Sequence, residues 1–256
     1  MALSSLHPTQ RFSDRVENYV RYRPTYPQAI IPYLRETIHL NRKHHIADVG
    51  SGTGIFSELF LRHGFSVTGV EPNEPMRKAG EAHLSHYTHF VSVDGKAEAT
   101  GLPDKSTDLI TVAQAFHWME PEATKTEFKR ILTAGGHVLL VWNLRLTDTP
   151  FLKGLDDLKK DLGNNYEGVQ KSHADETAIR AFYAPAEVTI KTFRHAQIMD
   201  FESLRGQLLS SSYMPLEGGP GYPEMIERLE DLFQRYNENG QVNMEYETRL
   251  FLGKGV

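Results

Sequence analysis

Asp48-Val49-Gly50-Ser51-Gly52-Thr53-Gly54 constrains this chain more than any other stretch. The run before it, His44–Val49, is short and apolar with β-branched Ile46 and Val49, the pattern of a buried strand. The run after it places Ile55, Leu59 and Arg62 on one helical face and stops at Gly64. Strand, glycine turn and helix, in that order, open a nucleotide site in an α/β sheet. Glycine lets the backbone turn tightly and approach a ligand where a Cβ would block it.

The spacing of the glycines narrows the ligand. A dinucleotide site asks for G-x-G-x-x-G, with the pyrophosphate on the helix N-terminus. Here the glycines fall at 50, 52 and 54, one residue early for that pattern, and Asp48 sets a negative charge beside the turn. An acid there repels a phosphate and can hold a cationic amine, directly or through water. That suits S-adenosylmethionine, which has a zwitterionic amino acid tail and no phosphate. Glu71, 21 residues after Gly50, ends a second strand over Ser66–Val70, where an acid can bond both ribose hydroxyls.

Composition excludes several classes. A chain of 256 residues fits one domain with an insertion or two small ones. The formal charge of −5 offers no basic field for a polyanion, so nucleic acid is not the expected partner. Cysteine is absent, which removes disulfides, thiolate metal sites and a cysteine nucleophile. No apolar run reaches membrane length, and Met1–Gln10 lacks the apolar core of a signal peptide. The expectation is a soluble cytoplasmic protein, with no membrane partner.

Taken in order, residues 1–10 read as a frayed tail, Ser13 caps a short helix over Asp14–Arg21, and Arg21–Pro27 is a polar, aromatic linker. Tyr19, Arg23 and Tyr26 are read either as a flap over the cofactor's methionine end or as a linker packed on the sheet edge. Pro27 starts a helix to about Leu40, with Pro32 demanding a kink or a late start. Asn73 caps a helix through about His83, on which Met76 packs either against adenine or in the core. His83, His86 and His89 straddle a helix end and a loop, so no metal is expected. Phe90–Val93 is a third strand, and Asp94 at its end either accepts the adenine amine or makes an Asx turn with Gly95. Leu109–Ala113 is a fourth strand, Glu122–Leu132 a helix closed by Gly135-Gly136, and His137–Trp142 a fifth strand. This alternation predicts a doubly wound α/β sheet. Beyond it, Phe151–Leu162, Phe201–Leu209 and Ile226–Tyr236 read as helices, and Glu187–Met199 and Val242–Leu252 as closing antiparallel strands.

Four segments together resemble the class I S-adenosylmethionine-dependent methyltransferases: Asp48–Gly54, Val70-Glu71-Pro72-Asn73, Asp94-Gly95-Lys96-Ala97-Glu98 and Gln114-Ala115-Phe116-His117-Trp118. With Tyr22-Arg23-Pro24-Thr25-Tyr26-Pro27, the chain looks like the small-molecule branch that includes trans-aconitate methyltransferase. The resemblance covers residues 11 to 143 and the remainder only in outline. It implies a Rossmann-like methyltransferase sheet, mostly parallel with an antiparallel C-terminal strand. It also implies a helical flap over 1–40, a cofactor-binding core over 41–145, and lid helices with closing strands over 146–256. It carries Gly50, Gly52, Thr53, Pro72, Gly95, Ala97, Gln114 and Ala115 into the cofactor site beside Asp48, Glu71, Asp94, Tyr19, Arg23 and Tyr26. Trp118 and Tyr213 fall to the acceptor side, where the segment after Phe201–Leu209 borders the pocket in this family.

The transferred group shapes the remaining expectations. A sulfonium brings its own activation, so the protein mainly aligns acceptor and methyl and excludes water. His117 is the titratable residue placed beside the methyl, either as a base for an un-ionised acceptor or as a pocket wall. A carboxylate acceptor needs no base and is held instead by cations and hydroxyls. The expected function is methyl transfer to a carboxylate or hydroxyl oxygen of a small molecule by a monomer or homodimer. The alternatives are a nicotinamide oxidoreductase on a similar sheet and a non-catalytic S-adenosylmethionine-binding protein. A nucleic-acid methyltransferase would need the Asn/Asp-Pro-Pro-Tyr/Phe turn, which the segment after the fourth strand lacks.

Overall fold

A computed structural model describes residues 21–164, 166 and 175–256. The tail at 1–10, Tyr19 and all but the last residue of the helix expected over Asp14–Arg21 lie outside the described residues. In chain order the elements are α1 (Ile30–Ile38), β1 (His45–Val49), α2 (Ile55–Leu61), β2 (Ser66–Val70), α3 (Glu74–Leu84), β3 (Phe90–Val93) and β4 (Thr107–Ala113). There follow α4 (Pro121–Ile131), β5 (Leu132–Arg145), α5 (Pro150–Leu162), α6 (Glu176–Tyr183), β6 (Val188–Met199), α7 (Phe201–Leu209), α8 (Tyr222–Tyr236) and β7 (Val242–Lys254).

The strands form one sheet in the order β3-β2-β1-β4-β5-β7-β6. Strands β1 to β5 run parallel, and β7 lies antiparallel between β5 and β6. The chain winds outward from β1 to β3, then returns to start β4 on β1's other side. Loops leaving β1 and β4 therefore diverge and open a crevice at their carboxyl ends.

Alternating burial along the strands gives two apolar faces. On one, Ile46, Val67, Leu109 and Val141 pack under α1 and α2. On the other, Val49, Val112, Trp142 and Phe251 pack under Phe128 and Ile131 of α4 and Phe182 and Tyr183 of α6. A third cluster joins α5, α7 and α8 to the ends of β6 and β7 through Leu155, Leu208, Leu229 and Met244.

Several boundaries depart from expectation for local reasons. Helix α1 starts at Ile30 rather than Pro27, which leaves Pro32 in the first turn where its missing N–H costs nothing. On α2 the buried face is Phe56, Leu59 and Phe60, while Arg62 turns to solvent and pairs with Glu58 at 2.8 Å. Three aromatic edge contacts, Tyr26–Phe56, Phe56–Phe60 and Phe60–Phe65, set that choice, because rings bury more area than a guanidinium stem. Gly135 and Gly136 lie inside the irregular start of β5, whose register with β4 slips between Thr107 and Leu109. Helix α6 has no counterpart among the expected elements. Asp175 caps it, and its Tyr183 hydroxyl hydrogen-bonds the Val138 and Phe251 carbonyls.

Candidate active site

The glycine loop is braced from below. Gly50 and Gly54 have φ of +72° and +80°, the left-handed region that side chains resist. Space forbids them as well: a Cβ at Gly50 would lie 2.6 Å from the Ala115 Cβ, and one at Gly54 would lie 2.4 Å from Leu84 Cδ1. Asp48 is fully buried beneath the loop and accepts hydrogen bonds from Ser57 Oγ at 2.6 Å and Thr111 Oγ1 at 2.8 Å. Burial raises its pKa to about 6 against those bonds, which pull the other way. Both its oxygens are engaged by the scaffold, joining α2 to β4, so its direct partners here are hydroxyls.

Glu71, at the end of β2, reaches across the same loop. Its Oε2 accepts from the Gly52 N–H at 2.9 Å and its Oε1 from the Asn73 N–H at 2.8 Å. Burial raises its pKa although both bonds favour the carboxylate. Asn73 then caps α3, accepting from the Met76 N–H at 3.0 Å.

Above this frame lies a cleft of about 270 Å³ with Gly50 and Gly52 at its floor, Glu71 and Met76 on one side, and Ala97 and Trp118 on the others. Pro72, Gln114 and Ala115 also line it. Met76 is thus both buried and part of the wall. A smaller recess of about 50 Å³ shares Gly50, Gly52 and Gln114 with the cleft and adds Arg23, Tyr26, Thr53 and Asp48. Gln114 holds φ +59° and donates through Nε2 to the Asn143 carbonyl at 3.1 Å. A non-glycine residue in that conformation at a cleft wall is a strained position held by its surroundings.

Most predicted site residues therefore converge, and four do not. The Asp94 side chain is 71% exposed and sits 3.2 Å from Arg77 Nη1, outside the lining of cleft and recess. Edge strand β3 ends there, and the guanidinium draws the carboxylate outward while Lys96 and Ala97 turn to the cleft instead. Gly95 tucks against Thr100, where a Cβ would meet the carbonyl at 2.6 Å. His117 sits on a 3-10 turn over Phe116–Trp118 with its ring 4.7 Å from Trp118, and of that pair Trp118 lines the cleft. Tyr213 packs its ring 5.2 Å from Tyr166, beyond the recess. Lining residues outside the predicted set include Ala113, Met119 and Asn143. Asn143 carries a faint signal as the first polar residue after the apolar run of β5. Among the described residues no group of three or more histidines or acids is arranged to hold a metal.

The groups present fit S-adenosylmethionine. Thr53 Oγ1 is buried in the recess wall and makes no hydrogen bond among the described residues, and the glycines give an approach that a Cβ would fill. Glu71 and Lys96 both border the cleft.

An open sheet of this order, with a glycine loop and a following acid at its switch point, is the Rossmann-like architecture of class I methyltransferases. Residues 47–140 match the family described as "Methyltransferase domain". An uncharacterized methyltransferase of Mycobacterium tuberculosis is 35% identical over 134 residues, covering 52% of this chain and 52% of that one. A putative methyltransferase of Dictyostelium discoideum is 29% identical and covers 68% and 60%. The chain thus spans about half the length of the first of these relatives. Among solved structures, a putative type II methyltransferase from Anaeromyxobacter dehalogenans superposes with a TM-score of 0.67 at 20% identity, covering 91% and 97%. That likeness extends the fold over nearly the whole chain.

Proposed function

We propose that this chain transfers a methyl group from S-adenosylmethionine to a carboxylate or hydroxyl oxygen of a small organic molecule. The observation that carries the reading is the convergence of the glycine loop, Glu71 and Gln114 on one cleft at the sheet's switch point, inside the segment that matches a methyltransferase domain. Glu71 would meet the ribose hydroxyls, Ala97 and Met76 the adenine, and Thr53, Arg23, Tyr26 and Gln114 the amino acid tail. Asp48 supports the loop. When bound, the cofactor supplies an electrophilic methyl on a sulfonium. The chain's part is to hold the acceptor oxygen in line and keep water out with Trp118 and the residues around it. His117 stands near enough in sequence to Trp118 to orient an acceptor hydroxyl, and a carboxylate would need no base. The acidic net charge favours small molecules over nucleic acid. Among the described residues no helix is long and apolar enough to cross a membrane, and we place the protein in the cytoplasm as a monomer or homodimer.

Calorimetric titration with S-adenosylmethionine and S-adenosylhomocysteine tests this directly. Micromolar binding is expected, weakened at least tenfold in Glu71→Ala and much less in Asp94→Ala, whose side chain is turned to Arg77. Absence of binding by the folded wild type, with binding of a nicotinamide dinucleotide instead, would overturn it.

A further inference from the structure

Beyond the recess, where β5, α5 and the segment after α7 meet, three basic side chains act on one another, two of them buried and the third half-buried. Arg145 follows Asn143 by two residues on β5 and so faces the same side of the sheet. Its side chain is 11% exposed, and Nη2 donates to Asp156 Oδ1 and to the Tyr166 hydroxyl, both at 2.9 Å. Its Nε is buried and makes no hydrogen bond among the described residues. Lys159, on α5, is 4% exposed, and its ammonium has no hydrogen bond or ion pair among the described residues. Arg23 lines the recess beside the glycine loop and donates through Nη2 to the Ser210 carbonyl at 3.0 Å.

The charges acting on Lys159 are Arg145 and Arg23, both repulsive, and Asp156, attractive. Asp156 is already bonded by Arg145, by Tyr166 and by Lys160 at 2.9 Å. Asp156 is the carboxylate that acts on both Lys159 and Arg145 among the described residues. Burial and the two guanidinium groups hold the Lys159 amine well below its ordinary pKa. The fold gathers two guanidinium groups and this amine in one place, and an incoming anion would restore the amine's charged form. The Tyr246 hydroxyl accepts from Gln207 Nε2 at 2.7 Å and keeps its own proton for an oxygen-rich anion, whereas the Tyr166 proton goes to Asp156.

We propose that Lys159, Arg145 and Arg23 form an oxyanion subsite that anchors an acidic group of the methyl acceptor. The inference rests on the methyltransferase reading for its acceptor, and on Arg23 for continuity, since that residue belongs to both the recess and the cluster. A carboxylate and a phosphate share the required chemistry. The anchored group is distinct from the oxygen that is methylated, because neither Lys159 nor Arg145 lines the cleft or the recess. The acceptor is therefore bifunctional: one anionic handle and one reacting oxygen.

The test uses the whole chain saturated with S-adenosylhomocysteine and calorimetric titration with succinate, inorganic phosphate and neutral butane-1,4-diol. One of the two anions is expected to bind, to weaken as salt rises, and to lose at least tenfold affinity in Lys159→Met. S-adenosylhomocysteine affinity should stay within twofold, and Lys159→Arg should keep the anion. The preferred anion identifies the handle as carboxylate or phosphate. Failure of both anions to bind wild type, equal binding of the diol, or undiminished binding by Lys159→Met overturns the subsite. The wild-type titrations decide the matter alone if Lys159→Met fails to fold. Good S-adenosylhomocysteine binding with no anion binding refutes the subsite and leaves the methyltransferase reading standing. Anion binding without S-adenosylhomocysteine binding does the reverse.

Discussion

Replacing Asp48 by asparagine separates the cost of burying its charge from everything else the side chain does. The amide keeps the shape and two hydrogen-bonding atoms, and the Ser57 and Thr111 hydroxyls can rotate to serve one oxygen and one nitrogen. In the folded wild type the carboxyl titrates at about 6 against 3.8 when unperturbed, because burial outweighs both bonds. The folded state thus holds a proton that the unfolded chain has released. Its contribution is fully present below pH 3.8 and is lost as pH rises through 6. At 1.36 kcal/mol per pKa unit, the loss amounts to roughly 3 kcal/mol by pH 8. The substituted amide cannot titrate, so the stability of Asp48→Asn minus that of wild type should grow by that amount between about pH 4 and pH 8. For a chain of this size the gap corresponds to roughly 5 °C in unfolding midpoint. Urea unfolding of both proteins across that range measures it, and titrating groups that do not interact with Asp48 cancel in the difference. A gap that does not change with pH, or one that shrinks on the alkaline side, would refute the argument.

Gly50→Ala combines left-handed strain of about 1–2 kcal/mol with a Cβ set 2.6 Å from Ala115. Both stability and S-adenosylhomocysteine affinity should fall, and an unchanged affinity would separate the loop from the cofactor. Lys159→Met removes a buried amine that has no partner among the described residues and replaces it by an apolar chain of similar length. The ligand-free protein should gain about 1–3 kcal/mol in urea unfolding, and a loss would show that the amine has a stabilising partner.

How far the site can be read in advance depends on the range of the interactions. Asn73 and Glu71 are legible because a cap and a strand-end acid act within a few residues of their own position. Gly50, Gly52 and Gly54 are legible because backbone conformation is a local demand. The side chains of Asp94 and Tyr213 are not, because Arg77 and Tyr166, contributed by other segments, decide where they point. Arg62 falls on the wrong face of α2 in a periodicity argument, because periodicity does not say which of two neighbouring faces holds the larger rings. The cation cluster is invisible for the same reason at longer range: Arg23, Arg145 and Lys159 belong to three separate elements, and nothing in any one of them marks a charge as buried. Their meeting is a property of the sheet order and of α5 packing against it.

That sheet order has a consequence for how the chain reaches its final form. Strand β7 follows β6 in sequence yet lies between it and β5, pairing with both along most of its length. On the ribosome, β6 emerges with no neighbour to bond, and β5 presents an open edge on that side until residues 242–254 arrive. Two unpaired strands must be kept apart from other chains during that interval, and the last strand then closes both gaps in one step. A chaperone or a nascent-chain partner has its best opportunity there. Loss of the final strand would not trim the sheet at its margin but cut it in two.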